Sequence, residues 1–329
     1  MNSTPTESFP ETPIATKQWT AQTFEQRWRA VVAPRPPLRQ LALACGLLLL
    51  TFATCLAAGT QFAVSYAHNS AVSFDEFVRS VELLYKNPAA LVAGLPFALT
   101  LLAILLAHEL GHFYACRYYR IRSTYPFFIP APTLIGTFGA FILIRSPIWS
   151  RRALFDVGAS GPIAGFVVAL PALAFGAWKA KVVADLTMNA DVVFGVPLAL
   201  RWFLQLFHPG VGAAHLLLHP VGRAAWVGLF ATALNLLPAG QLDGGHILRT
   251  VSPRIHRIVT IALPMLLVVL GLLLWWVWLV WAVILFGLRF LRAAPVYDNE
   301  PLDARRKWLA LLSLAIFVLC FMPAPILNP

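Results

Sequence analysis

The chain has 329 residues, 59% hydrophobic and only 12% charged, with a mean hydropathy of +0.73. Soluble domains are roughly 45–50% apolar and about 25% charged, so this balance excludes one and demands several membrane spans. The net charge of +11 lies in short connections between apolar runs, the pattern of cytoplasmic loops in a membrane protein rather than a nucleic-acid surface.

Residues 1–38 read as a cytoplasmic tail, Thr- and Pro-rich and disordered over 1–16, with Phe24, Trp28 and Val31 on a short membrane-surface helix. Residues 39–329 then form one membrane domain. The first apolar stretch, 39–59, lies too far from the N-terminus for a cleaved signal peptide and is read as a retained span that carries the chain outward. A nearly neutral external segment, 60–88, holds a surface helix over 74–85, and span two, 89–118, returns inward.

Span two contains His108-Glu109-Leu110-Gly111-His112. On a helix the two histidines stand one turn apart on one face, so both imidazoles can bind one Zn²⁺, with Glu109 beside them to take a proton from water on the metal. Three ionisable side chains in an apolar span are costly and usually mark function. Arg117, Arg120 and Arg122 follow, which puts the motif in the inner half of the bilayer.

Residues 126–144 are apolar but too short and too interrupted by Pro and Gly to cross twice, and basic residues flank both ends. The expectation is a re-entrant hairpin whose backbone is satisfied by protein or a polar cavity. Span three, 153–178, opens with Ser160-Gly-Pro-Ile-Ala-Gly165, where Gly161 and Gly165 let another helix approach closely. The external connection 179–219 includes a half-buried helix near 192–207, and its His215 and His219, four apart, are a weaker candidate for a second metal site.

Span four, 224–237, is stopped by Pro238. Residues 255–289 are long enough for two spans joined near Trp275 and Trp276, in a tryptophan cluster with Trp278 and Trp281 suited to a membrane interface. A basic loop, 289–307, leads to the last span, 308–322. Cys45, Cys55, Cys116 and Cys320 lie in or beside apolar runs without C-x-x-C spacing and read as packed hydrophobes. The count is about seven spans in an all-α polytopic membrane protein with a re-entrant hairpin, its N-terminus cytoplasmic, with no internal repeat or second soluble domain.

A zinc hydrolase site needs a third protein ligand. After span four comes Asn235-Leu-Leu-Pro-Ala-Gly-Gln-Leu-Asp243-Gly244-Gly245-His246, on the same side as the histidine pair. Asp243 and His246 can each reach the metal from this turn, and the residues alone leave the choice open.

With the H-E-x-x-H motif in one span and Asn-x-x-Pro-x-x-x-x-Asp-Gly in a later one, the chain resembles the site-2 protease family of intramembrane zinc metalloproteases. It is most similar to the compact branch without a PDZ domain, shared by bacteria and the plastid gravitropism-deficient, yellow-green proteins; the resemblance runs over about 103–250, within an expected metalloprotease core of about 89–250. The resemblance implies His108, His112 and Asp243 as zinc ligands, Glu109 as the catalytic base and Asn235 holding substrate or intermediate near the metal. It also implies a transmembrane protein substrate, a peptide bond within or next to a membrane span, and a bacterial inner membrane as location. The rival expectation is a non-proteolytic membrane metal-binding protein or transporter, which would distribute polar residues along a route across the bilayer.

Overall fold

The computed structural model describes residues 37–71, 78, 82–83, 85–148, 150–183, 186, 193–288 and 300–327. The expected N-terminal tail and its surface helix lie outside the described residues, as does most of the expected 74–85 helix.

Helix α1, Leu38–His68, is longer than the expected first span because Thr60, Gln61, Phe62 and Ser65 are buried against neighbouring elements instead of emerging into water. It stops at Asn69, which adopts φ 56° and returns its N–H to Ser65. A 3₁₀ segment, Pro88–Gly94, runs directly into α2, Leu95–Tyr118. Helix α3, Arg151–Trp178, keeps Pro162 and Pro171 in its interior, as helices buried among others in membranes tolerate.

At the centre lies α5, Pro220–Asn235, packed on both α2 and α3. The shorter α4, Leu198–Phe207, precedes it, and α6, Asp243–Val251, follows. Helices α7, Pro253–Leu273, and α8, Val277–Leu288, pair closely, with the break falling at residues 274–276 as expected. Helix α9, Ala304–Cys320, closes the fold.

Among the described residues, four helices are long and apolar enough to cross a membrane: Leu38–His68, Pro88–Tyr118, Arg151–Trp178 and Pro253–Leu273. A continuous apolar core joins α1, α2, α3, α5 and α9. The tryptophan cluster divides: Trp278 is fully buried with its indole N–H on the Pro323 carbonyl at 2.6 Å, while Trp276 is exposed. Cys55, Cys116 and Cys320 are buried and free, and Cys45 is exposed.

The chain is mostly helical, as expected, and among the described residues three short antiparallel pairs accompany the helices. Strand β1, Phe127–Pro130, pairs with β2, Thr137–Phe141, from Phe127 opposite Phe141 to Pro130 opposite Thr137. The register slips at Ile129/Pro130, where proline has no N–H to give, and the Thr137 hydroxyl donates to the Ile129 carbonyl at 2.7 Å. Lys181–Val182 pairs with Leu216–Leu217, and Val193–Phe194 with Ile326–Leu327.

The 126–144 segment is therefore a β-hairpin held against α1. Gly136, at φ +83°, lies so close to that helix that a Cβ would meet the Cys55 Cα at 2.7 Å, and the Thr54 hydroxyl donates to its carbonyl at 2.6 Å. A residue with a side chain would fit neither the space nor the dihedral.

Candidate metal centre

The histidine motif occupies the fourth and fifth turns of α2, where His108, Glu109 and His112 are only 5%, 5% and 6% exposed. Burial of this degree requires that every polar atom find a partner. Helix α3 supplies the space. A Cβ on Gly161 would fall 2.1 Å from His112 Nε2, and one on Gly165 would fall 3.1 Å from the His108 Cβ. The glycine pair therefore accommodates the two imidazoles rather than merely a bare helix backbone.

The α3 backbone also sets the ring chemistry. His112 Nδ1–H donates to the Val157 carbonyl at 2.7 Å, which fixes the proton on Nδ1 and leaves the Nε2 lone pair free.

Asp243 is the first residue of α6, after a turn in which Leu236, Leu237 and Ala239 carbonyls fold back over the helix start. A Cβ on Gly244 would lie 2.0 Å from the Leu236 oxygen, so this return is available only to glycine. Helix α6 also packs on α3 at Gly158, where a Cβ would stand 3.0 Å from the His246 Cβ.

These contacts bring three donor atoms together. His108 Nε2 and His112 Nε2 are 3.1 Å apart, and Asp243 Oδ2 lies 3.3 Å from the first and 3.2 Å from the second. Three lone-pair atoms at such spacing repel one another unless a cation lies between them. A tetrahedral zinc ion with bonds of about 2.0–2.2 Å separates its ligands by roughly 3.3–3.6 Å, so the triangle is close to the size zinc requires, and two imidazoles with one carboxylate form a usual zinc donor set. The residues present fit the ion. Among the described residues, this is the group of three or more His, Cys, Asp or Glu side chains that converge in this way.

Asn235, at the C-terminal end of α5, holds its side-chain amide nitrogen 3.3 Å from His108 Nε2. Glu109 sits between the motif histidines with its carboxyl toward the Ile142 N–H, just beyond β2. Strand β2 pairs with β1 on one edge, and among the described residues its other edge has no strand partner. Phe138 on this strand is exposed.

The structure does not bring the other candidates to this point. His246 lies outside the donor group, one turn along α6. His215 and His219 are not a helical i, i+4 pair, because Leu216 and Leu217 between them form the strand paired with Lys181 and Val182. His219 instead caps α5, accepting from the Val221 N–H at 3.2 Å, and its ring meets Tyr66 and Phe175 edge-on.

Two contributors were missed from sequence. The Val157 carbonyl carried no signal, since any residue supplies one. Asp156, beside it, is a lone carboxylate at the start of an apolar run and could have been marked for that reason. Arg306 grips it through Nε to Oδ1 at 2.9 Å and Nη2 to Oδ2 at 2.5 Å, also donating to the Tyr119 hydroxyl at 3.0 Å and to Asp303 at 2.7 Å. Tyr119 in turn donates to Asp156. The cluster ties the end of α2 and the start of α9 to the turn of α3 that holds His112.

Residues 96–278 match the family profile described as Peptidase family M50. The chain is 33% identical over 229 residues to "Probable zinc metalloprotease EGY1, chloroplastic" of Arabidopsis thaliana, covering 66% of this chain and 41% of that protein. It is 36% identical over 162 residues to the protein of the same name from Oryza sativa subsp. japonica, covering 48% and 28%. It is 29% identical over 265 residues to "Probable zinc metalloprotease EGY2, chloroplastic" of Arabidopsis thaliana, covering 77% and 47%. The chain thus spans less than half the length of these relatives. No solved structure matches.

Proposed function

Because the chain belongs to Peptidase family M50, we propose that it is an intramembrane zinc metalloendopeptidase that hydrolyses a peptide bond within or next to a transmembrane segment of a membrane protein. The observation that carries this reading is the convergence of His108, His112 and Asp243 at 3.1–3.3 Å with Glu109 alongside, all within an apolar helical core. His108, His112 and Asp243 are the zinc ligands. Zinc held there would supply Lewis acidity, polarising the scissile carbonyl and lowering the pKa of a water molecule.

Glu109 takes the proton of the attacking water and passes it to the leaving amine nitrogen as the C–N bond breaks. Val157 keeps His112 in the tautomer that presents Nε2. Asn235 holds the substrate or intermediate beside the metal. A substrate helix hides its carbonyls in i to i−4 bonds and must unwind before hydrolysis. The unpaired edge of β2 supports strand addition as the means of holding it extended, with the scissile bond near Ile142 and Glu109.

The chain crosses the membrane about seven times in this reading, through α1, α2 with its 3₁₀ lead, α3, α5, α7, α8 and α9. The arginine-rich ends at 117–122 and 145–152 face the cytoplasmic side together with the N-terminus, and the β-hairpin is re-entrant. The host is a bacterial inner membrane; the chloroplastic names of the relatives make a plastid membrane the competing location, which fractionation decides.

Glu109→Gln tests the assignment. The purified variant should retain zinc and lose cleavage of any accepted transmembrane substrate, found by comparing new protein termini in membranes with and without the active chain. Substantial residual proteolysis would falsify Glu109 as base, and retained function without any new termini would favour a non-proteolytic metal-binding role.

A further inference from the structure

A groove of about 610 Å³ runs between α6 and α9, lined by none of the three donor side chains although Gly244, next to Asp243, borders it. Its walls are apolar, formed by Ile247 on α6 and by Ala310, Leu314 and Phe317 on α9, while Arg151 and Lys307 line it as well. Lys307, Ala310, Leu314 and Phe317 follow one another at helical spacing, so the groove follows one face of α9 from residue 307 to 317, roughly 15 Å. Both cations stand at the same end, because Arg151 begins α3 and Lys307 lies in the first turn of α9. Arg151 is held in place by donating from Nε to the Thr250 carbonyl at 2.7 Å, and Lys307 forms no ion pair among the described residues.

We propose that this groove is a binding site for an anionic membrane lipid, with an acyl chain along the α9 stripe and the phosphate headgroup between Arg151 and Lys307. The charge pattern selects the occupant: two cations, Arg151 and Lys307, stand at one end of an otherwise apolar stripe roughly 15 Å long, which matches an anionic headgroup joined to a hydrocarbon chain. Basic pockets at the cytoplasmic ends of membrane helices attract anionic headgroups, and the apolar stripe leads inward from this one. The bound lipid lies against α6, the helix that begins with Asp243, and joins it to α9. Lipid binding here uses none of the donor side chains and so does not depend on the metal chemistry.

The test uses the purified full chain in neutral detergent, with thermal unfolding and native mass spectrometry as readouts. Phosphatidylglycerol should remain bound and raise the unfolding temperature, since a ligand that binds only the folded state stabilises it, and phosphatidylcholine with the same chains should do neither. Lys307→Gln, an exposed substitution that leaves the core untouched, should weaken phosphatidylglycerol binding roughly fivefold. Arg305→Gln, on the same helix but outside the groove, should not. Ala310→Trp should block binding by filling the channel. Equal retention of both lipids, or an equal loss from the Arg305 and Lys307 variants, would overturn the proposal. Inorganic phosphate that displaces the lipid would reassign the site to a free anion, and stabilisation by a single-span peptide without lipid, lost in the Ala310 variant, would reassign it to protein.

Discussion

The donor triangle depends on residues that donate nothing to it. Gly161 faces His112 Nε2 so closely that a methyl group at this position would occupy the place of the lone pair, and the backbone around it cannot retreat because α2 and α3 are packed there. Gly161→Ala should therefore leave the chain in the membrane but reduce zinc affinity by roughly 10–100-fold, the range seen when groups that orient a metal ligand are altered. Metal analysis of the purified variant checks this, and normal zinc content would show that α3 shifts more easily than its packing implies. The choice between Asp243 and His246 is made at the same scale. Asp243→Ala should lose zinc, whereas His246→Ala, whose side chain lies against α3 at Gly158, should keep it. The opposite pair of results would exchange their roles. From sequence the histidine pair was legible because one helical turn suffices to define it, while the third ligand rested on a resemblance, since no local rule relates residue 243 to residue 112.

Between elements, the Tyr119, Asp156 and Arg306 cluster fastens the second turn of α3 to α2 and α9. Burial, with the Asp156 carboxylate, pushes the Tyr119 phenol up to about 12 from its ordinary 10. A phenol with a raised folded-state value contributes stability that is complete below pH 10 and is lost as pH rises from 10 through about 12, because the unfolded chain releases its proton first. Tyr119→Phe should remove that part of the alkaline loss, and a difference phenolate titration between the two proteins should place the Tyr119 step near pH 12. Arg306→Lys, which cannot reproduce the two-pronged grip on Asp156, should lower stability by roughly 2 kcal/mol and loosen zinc retention through Val157. Sequence reading failed for elements of this kind where partners are remote. The run of Pro and Gly at 126–144 announced a segment too interrupted for a long helix, but its strand pairing depends on α1 as a backing surface. The spacing of His215 and His219 suggested a helix face, and the competing strand bonds to Lys181 and Val182 removed it.

At the scale of the whole molecule, the apolar helices that can cross a membrane were recognisable from hydropathy and length, and the boundaries shifted where polar residues of α1 found protein partners. The arrangement of arginines makes a direct demand on topology. Reporter fusions placed after Arg122 and after Arg152 should both read as cytoplasmic; opposite readings would mean that the hairpin segment crosses, and strand addition at β2 would then fail with it. The distribution of the ligands also has a consequence in time. His108 and His112 are synthesised together, but Asp243 follows only after the hairpin, α3, α4 and α5 have been made. At 5–20 residues per second this interval is on the order of ten seconds, during which the nascent chain holds an incomplete donor set. A chain arrested before α6 could not close the donor triangle, so the order of synthesis itself keeps the metal centre unassembled until the helices around it have been made.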